Sequence, residues 1–345
     1  MLFTIERFMI RASSRYLRRC FSVENVGTLA NDCQELIPQS DNNFASVPLN
    51  QKSLKIAILG APNAGKSTLV NKLIKRSVCP TSSKVHTTQT KADAIYCEND
   101  TQLIFIDTPG VVSMYTSKRY NLSGSFRHDP QVSLAAADIV GIVQEANNIY
   151  TRHKIDKNIL ELLTEKIINK IPMILIFNKV DKLRRKEVLL ELVDIFVKSK
   201  ESLNFSDIFM VSALTGDGID DLRTYLLDSA KPRDWQYERH IYSNHKCEYI
   251  IQQTVRAKLM DILPHEIPYI LDIKVDHFET GSDDSIKAVV SITCPRKNIA
   301  RLLIRNFKNK LISNRVKQVA LMVEQELQNA FRTPVRLKLI VNFPK

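Results

Sequence analysis

Long hydrophobic runs are missing from this sequence. No stretch approaches the roughly 18 apolar residues a helix needs to cross a bilayer, and the most apolar segments, Ile139–Val143 and Met173–Phe177, are only strand-sized. That excludes an integral membrane segment. Paired cysteines are missing as well. Cys20, Cys33, Cys79, Cys97, Cys247 and Cys294 form no CxxC spacing, which argues against a zinc cage or a disulfide framework and for free thiols in a reducing compartment. Glycine is scarce, at nine in 345 residues, and with 13 prolines the chain is neither collagen-like nor of low complexity. Acidic side chains are also in deficit. Against 49 Lys and Arg stand 37 Asp and Glu, a net charge of +12. What is present is ordinary globular material, 44% hydrophobic and 25% charged, and at roughly 150 residues per domain the length predicts two domains.

The first 22 residues do not belong to either. Met1–Ser22 carries Arg7, Arg11, Arg15, Arg18 and Arg19 against Glu6 alone, with an apolar face from Leu2, Phe3, Ile5, Phe8, Met9 and Ile10. An amphipathic, Arg-rich, acid-poor start is the composition of a mitochondrial transit peptide; the alternative is a basic arm that stays on the protein and touches RNA. Residues 23–50 are polar and without period, and read as a disordered spacer.

Residues 51–230 read as an α/β P-loop domain with a mainly parallel sheet and helices on both faces. The apolar run Leu54–Leu59 leads into Gly60, Ala61, Pro62, Asn63, Ala64, Gly65, Lys66, Ser67 and Thr68, followed by Leu69, Val70, Leu73 and Ile74 at helical spacing. Strand, glycine loop and helix are the context a Walker A phosphate cradle requires. Its backbone N–H groups and the helix N-terminus take phosphate. Lys66 neutralises β- and γ-phosphate charge and Ser67 can ligate Mg²⁺. Leu103–Ile106 then runs into Asp107, Thr108, Pro109 and Gly110, where the carboxylate can hold a Mg²⁺-bound water and the Gly110 N–H can sense a γ-phosphate. Met173–Phe177 ends in Asn178, Lys179, Val180 and Asp181. A carboxylate at Asp181 matches the N1–H and N2–H₂ donors of guanine and would stay unpaired against adenine. Asn178 would brace the loops and the Lys179 stem would cover the base. Last, Ile208–Val211 leads into Ser212, Ala213 and Leu214, whose backbone can meet guanine O6. Four such segments in order, each at a strand terminus, imply GTP/GDP with Mg²⁺ as the ligand.

The spacing and wording of these segments resemble the Era family of translation-factor-like GTPases, over residues 51–345. The family carries a Thr-Thr pair in the switch before the second strand; here Val85-His86-Thr87-Thr88-Gln89 stands in that place. The resemblance therefore implies Thr88, with Thr87 as the fallback, as the Mg²⁺- and γ-phosphate-sensing residue, and Lys66, Thr88, Gly110 and Asn63 as the catalytic set. Gln89 departs from the family's usual Arg. Val111 follows Gly110 where Ras-like enzymes place the Gln that orients water, so intrinsic turnover should be slow or assisted. In related GTPases a P-loop Asn helps hold a K⁺ ion acting where an arginine finger otherwise would. Asn63 occupies that position, and the alternative is that it merely closes the loop.

Residues 231–243 read as a linker, and 244–345 as a smaller α+β domain. Helical stripes at Tyr249–Ile262, Asn298–Arg305 and Val316–Ala330 alternate with strands at Tyr269–Phe278, Ile286–Thr293 and the closing Val335–Val341. The order α-β-β-α-α-β is that of a type II KH module, an RNA-binding fold. Its backbone-clamping GXXG loop is absent, because the last glycine is Gly281. Charge stands in its place. Arg296, Lys297, Arg301, Arg305, Lys308, Lys310, Arg315 and Lys317 occur with no acid between them, an electrostatic footprint for RNA phosphate.

The resemblance implies a mitochondrial matrix GTPase that holds small-subunit ribosomal RNA near its 3′ end during assembly of the small subunit, as a monomer. It allows, without requiring, a peripheral inner-membrane contact. The competing readings are a GTP-binding RNA chaperone without productive hydrolysis and a tRNA-modifying GTPase. The latter carries a terminal cysteine motif that is not found here, since the last cysteine is Cys294.

Overall fold

The computed structural model describes residues 50–82, 84, 92–107, 134–198, 203–264, 266–281, 283–304 and 314–343, all within one contact unit, Ser46–Lys345. The transit-peptide reading and all of the spacer but its last residue lie outside the described residues.

Seven strands build the larger sheet: β1 (Lys52–Gly60), β2 (Ala92–Glu98), β3 (Thr101–Asp107), β4 (Ile139–Glu145), β5 (Met173–Asn178), β6 (Phe205–Met210) and the two-residue β7 (Lys231–Pro232). The order is β2-β3-β1-β4-β5-β6, with β7 added to the start of β1. The β2–β3 and β1–β7 pairs are antiparallel and the rest parallel. β3 and β5 are buried along their whole length, as strands covered on both faces must be, which is why Leu103–Ile106 and Met173–Phe177 within them read as apolar runs. Register decides where the chemistry lies. Ile58 pairs with Asp107, Gly60 with Val143 and Glu145 with Asn178, so the loops that follow β1, β3, β4 and β5 open at one edge.

Among the described residues five helices accompany this sheet: α1 (Lys66–Ile74), α2 (Lys157–Leu162), α3 (Glu165–Ile168), α4 (Glu187–Lys198) and α5 (Ile219–Asp228). Ile159, Leu162, Leu163 and Ile167 have the spacing of a single helix stripe, yet the chain makes two helices there. Leu163 leaves helical geometry and Thr164 is extended before α3 begins.

The C-terminal part follows the order α6 (Cys247–Ile262), β8 (Asp272–Thr280), β9 (Ile286–Thr293), α7 (Lys297–Ile304), α8 (Arg315–Phe331) and β10 (Val335–Asn342), the α-β-β-α-α-β sequence expected. Its sheet runs β10-β9-β8, with β9 and β10 parallel and β8 and β9 antiparallel. β8 starts later than the apolar pattern suggests, because Pro268 opens a 3₁₀ turn at Ile267–Ile270. Helices α6 and α8 pack on each other, α6 also on β8 and α8 on β10.

The 231–243 linker does not hang free. Trp235 Nε1 donates to Asp100 O at 3.1 Å, and Gln102 Oε1 accepts from the Gln236 and Tyr237 N–H groups. The Tyr237 hydroxyl donates to Asp93 Oδ2 at 2.7 Å. The segment is a strap across the β2–β3 edge. At its root the Arg233 guanidinium grips Asp138 with two bonds, at 2.8 and 2.9 Å. Beyond the strap, the apolar cluster under α1 and α5 continues into that of α6, α8 and the smaller sheet. Arg76 lies over the Tyr242 ring and donates to Ala330 O, while Ser77 donates to Asn329.

Candidate nucleotide site and nucleic-acid interface

Between β1 and α1 the chain makes the curled loop the sequence predicts. Ala64 N–H bonds back to Ala61 O at 3.2 Å, Asn63 adopts a left-handed φ of 61°, and Gly65 follows at 93°. Asn accepts that region at modest cost. A side chain at Gly65 would not fit in any case, because its Cβ would lie 2.4 Å from Asn178 Nδ2. Gly65 also offers α1 no capping side chain, which leaves the first-turn N–H groups for an entering anion. Lys66 is buried, and its ammonium donates to Gly60 O and Ala61 O, both at 3.1 Å. Burial lowers its pKa to about 8 against the opposing pull of the Asp107 carboxylate. A phosphate arriving here would meet a cation already desolvated and aimed.

The last residue of β3, Asp107, has no exposed surface, and its Oδ2 accepts from Ser67 Oγ at 2.8 Å. Two hard oxygen donors side by side, one a carboxylate, next to a phosphate cradle are the donor set Mg²⁺ takes. The residues present fit the metal. Thr68, the next residue of α1, is half-buried. Thr87, Thr88, Thr108, Pro109, Gly110 and Val111 lie outside the described residues.

Asn178 is where the separate loops become one site. Its Nδ2 donates to Ala64 O at 2.9 Å in the phosphate loop, and its Oδ1 accepts from Ala213 N at 3.0 Å in the loop after β6. Lys179, at φ 63°, pairs its ammonium with Glu145 at 3.1 Å. Asp181 Oδ1 accepts from Ser212 Oγ at 2.6 Å, which fixes the plane of the carboxylate. Ser212 N–H is spent on Asp217 O, so a guanine O6 must share the Ala213 N–H or use that of Leu214. Neither Glu145 nor the Ser212 hydroxyl was singled out from sequence for these contacts. Only the β4–β5 register and the turn at Ser212 reveal them.

The basic segment is only partly in view. Arg296, Lys297, Arg301 and Lys317 are exposed, with the Lys297 ammonium 5.8 Å above the Phe343 ring. Arg315 is half-buried and donates to Leu302 O at 3.2 Å, which ties the last turn of α7 to the start of α8. Arg305, Lys308 and Lys310 lie outside the described residues.

Residues 55–179 match the model of a family described as a 50S ribosome-binding GTPase. The chain is 30% identical over 350 residues to a Danio rerio protein named GTPase Era, mitochondrial, covering 86% of this chain and 77% of that one. The chain is a member of the Era family of GTPases. A GTPase Era of Ehrlichia ruminantium is 31% identical over 85% of this chain and 93% of its own. Among solved structures, an Era bound to MgGDPNP and nucleotides 1506–1542 of 16S ribosomal RNA superposes with a TM-score of 0.68. It is 26% identical over 85% of this chain and 94% of that one. The Era fold accounts for both sheets: a P-loop GTPase domain with a mostly parallel sheet, then a KH domain at the C-terminal end.

Proposed function

We propose that this Era-family protein binds and hydrolyses GTP with Mg²⁺ in the mitochondrial matrix and there binds small-subunit ribosomal RNA during subunit assembly. Residues 51–230 are the GTPase domain, 231–243 the connecting strap and 244–345 the RNA-binding module. One observation carries the nucleotide half: a single buried side chain, Asn178, hydrogen-bonds the phosphate loop and the Ser212 loop, so cradle and guanine pocket stand at a fixed separation. The RNA half rests on the exposed basic side chains of a KH module and on the rRNA bound by the Era relative. The names of the zebrafish and other animal relatives support the compartment.

In this reading the Lys66 ammonium would exchange its two carbonyl acceptors for the β- and γ-phosphates, and Ser67 and Asp107 would hold the Mg²⁺ ion, with Thr88 as the third contact. The metal, when bound, neutralises phosphate charge. Gly110 N–H marks the γ-phosphate. Asp181, held by Ser212, selects guanine, and the Lys179 stem covers it. Val111 offers the attacking water nothing, so turnover is slow unless a monovalent ion helps. Asn63, already in left-handed geometry at the loop's apex, is the residue to hold K⁺. Replacing K⁺ by Na⁺ should slow hydrolysis, and equal rates would remove that part. Ultraviolet crosslinking in organelles, followed by sequencing of the attached RNA, tests the whole. Small-subunit rRNA should dominate; a dominance of tRNA or mRNA would overturn the ribosomal role and leave the GTPase standing.

A further inference from the structure

Between α1 and the Thr87-Thr88 pair, Val78 and Cys79 pack into the core of their own domain, but Thr81, Ser82 and Lys84 contact the C-terminal module. Ser82 Oγ donates to Asp261 Oδ1 at 2.9 Å, and Lys84 Nζ donates to Leu263 O at 2.5 Å. Both acceptors belong to the end of α6, some 179 residues further along the chain. One residue earlier, Thr81 Oγ1 lies 3.4 Å from Glu326 Oε1 of α8, and Glu326 is in turn paired with Lys258 of α6. Three of four consecutive positions thus contact the C-terminal module, and the last of them is four residues from Thr88.

We propose that Lys84 and Asp261 are positioning residues for GTP, by which the RNA-binding module fixes the root of the γ-phosphate-sensing switch. This rests on the assignment of Thr88 made above. The physical argument concerns where the ordering cost falls. A switch threonine that reaches the γ-phosphate must be ordered in the GTP state, and a tethered root leaves fewer backbone conformations to lose. GDP has no γ-phosphate for Thr88 to meet, so its affinity does not draw on the tether. The contact at Lys84 also has direction. A carbonyl at the C-terminal end of a helix carries partial negative charge, and an ammonium is the side chain that suits it. Coupling of this kind is reciprocal: whatever the root gives to GTP, bound GTP gives back to the seating of α6.

The test uses the full-length protein and measures affinity for GDP and for a non-hydrolysable GTP analogue. Lys84→Ala should weaken the analogue on the order of ten-fold, within the usual range for coupled sites, and leave GDP within about two-fold. Asp261→Asn, on the other module, should show the same selective loss to a smaller degree. Lys84→Arg, which keeps a cationic donor, should restore most of it. GDP affinity doubles as the control for a folded domain. Equal weakening of both nucleotides, or of neither, overturns the proposal while wild-type binding keeps the GTPase reading. A wild type that holds neither nucleotide removes the GTPase reading itself.

Discussion

Replacing Asn178 by Ala should damage stability and nucleotide binding together. The side chain is 1% exposed and makes two bonds, to Ala64 O at 2.9 Å and from Ala213 N at 3.0 Å. Truncation leaves a buried carbonyl and a buried N–H unmatched, at about 1–3 kcal/mol each, so the loss of stability should be about 2–6 kcal/mol. The lone tryptophan, Trp235, sits on the strap against the sheet edge, and its fluorescence during urea titration reports unfolding of this domain. Binding suffers for a separate reason. With the brace gone, phosphate loop and guanine pocket are no longer held at one spacing, and if about 2 kcal/mol must be spent to reset them, affinity falls roughly thirty-fold. GTP and GDP should lose equally, because both occupy cradle and pocket. A variant that unfolds within 1 kcal/mol of wild type, or that binds GDP normally, would show that the two bonds do not govern the site.

Gly65→Ala would set a Cβ 2.4 Å from Asn178 Nδ2 at a φ of 93°, and isothermal titration should find both guanine nucleotides weakened beyond a hundred-fold. Ser212→Ala frees the Asp181 carboxylate from its 2.6 Å bond; guanine nucleotide affinity should fall about five- to thirty-fold with little change in unfolding midpoint, and an unchanged affinity would mean that the hydroxyl does not orient the acid. The strap should let go in acid. Burial alone would raise the Asp138 carboxyl, but the Arg233 guanidinium and the Lys55 N–H outweigh it and hold its pKa below the ordinary 3.8. A depressed acid gives stability that is present above that ordinary value and is lost as pH falls through the lower folded value. Trp235 fluorescence followed downward from pH 6 should therefore show an acid step in wild type that is missing in Asp138→Asn, whose strap already lacks the ion pair at pH 6, and coincident curves would count against the pair.

Much of the nucleotide domain was legible because its chemistry sits at strand ends. Asp107 and Asn178 follow apolar runs that are buried along their length, Ser212 follows the half-buried run of β6, and such runs announce themselves. The same logic found β9, whose alternating residues match the structure from Ile286 to Thr293. It failed where tertiary contacts overrule local pattern. The stripe Ile155–Ile167 has helical spacing throughout, yet breaks at Leu163 and Thr164. The strap has no period at all, since it is held by Asp93 on β2, Gln102 on β3 and Asp100 in the turn between them. Thr81, Ser82 and Lys84 look like an ordinary polar loop. Their partners Asp261, Leu263 and Glu326 are remote in sequence, and no spacing rule reaches that far.

These distant contacts bear on how an Era-family GTPase could read RNA without the glycine clamp. Without glycine in the clamp loop a KH module's backbone cannot approach phosphate as closely, and basic side chains alone give affinity that is strongly salt-dependent and weakly selective. The apolar cluster that runs from α1 and α5 into α6 and α8 offers a different source of discrimination. Packed cores shift between discrete arrangements more readily than they deform, so two modules sharing one core respond together. Selectivity can then reside in which RNA permits the GTP arrangement, not in which RNA binds. The measurable form is a ratio. RNA affinity in the GTP-analogue state divided by that in the GDP state should differ from one, and Lys84→Ala should move it toward one while the salt slope set by Arg296, Lys297, Arg301 and Lys317 stays the same. A slope that changes with the ratio would place the tether inside the RNA contact and end the argument.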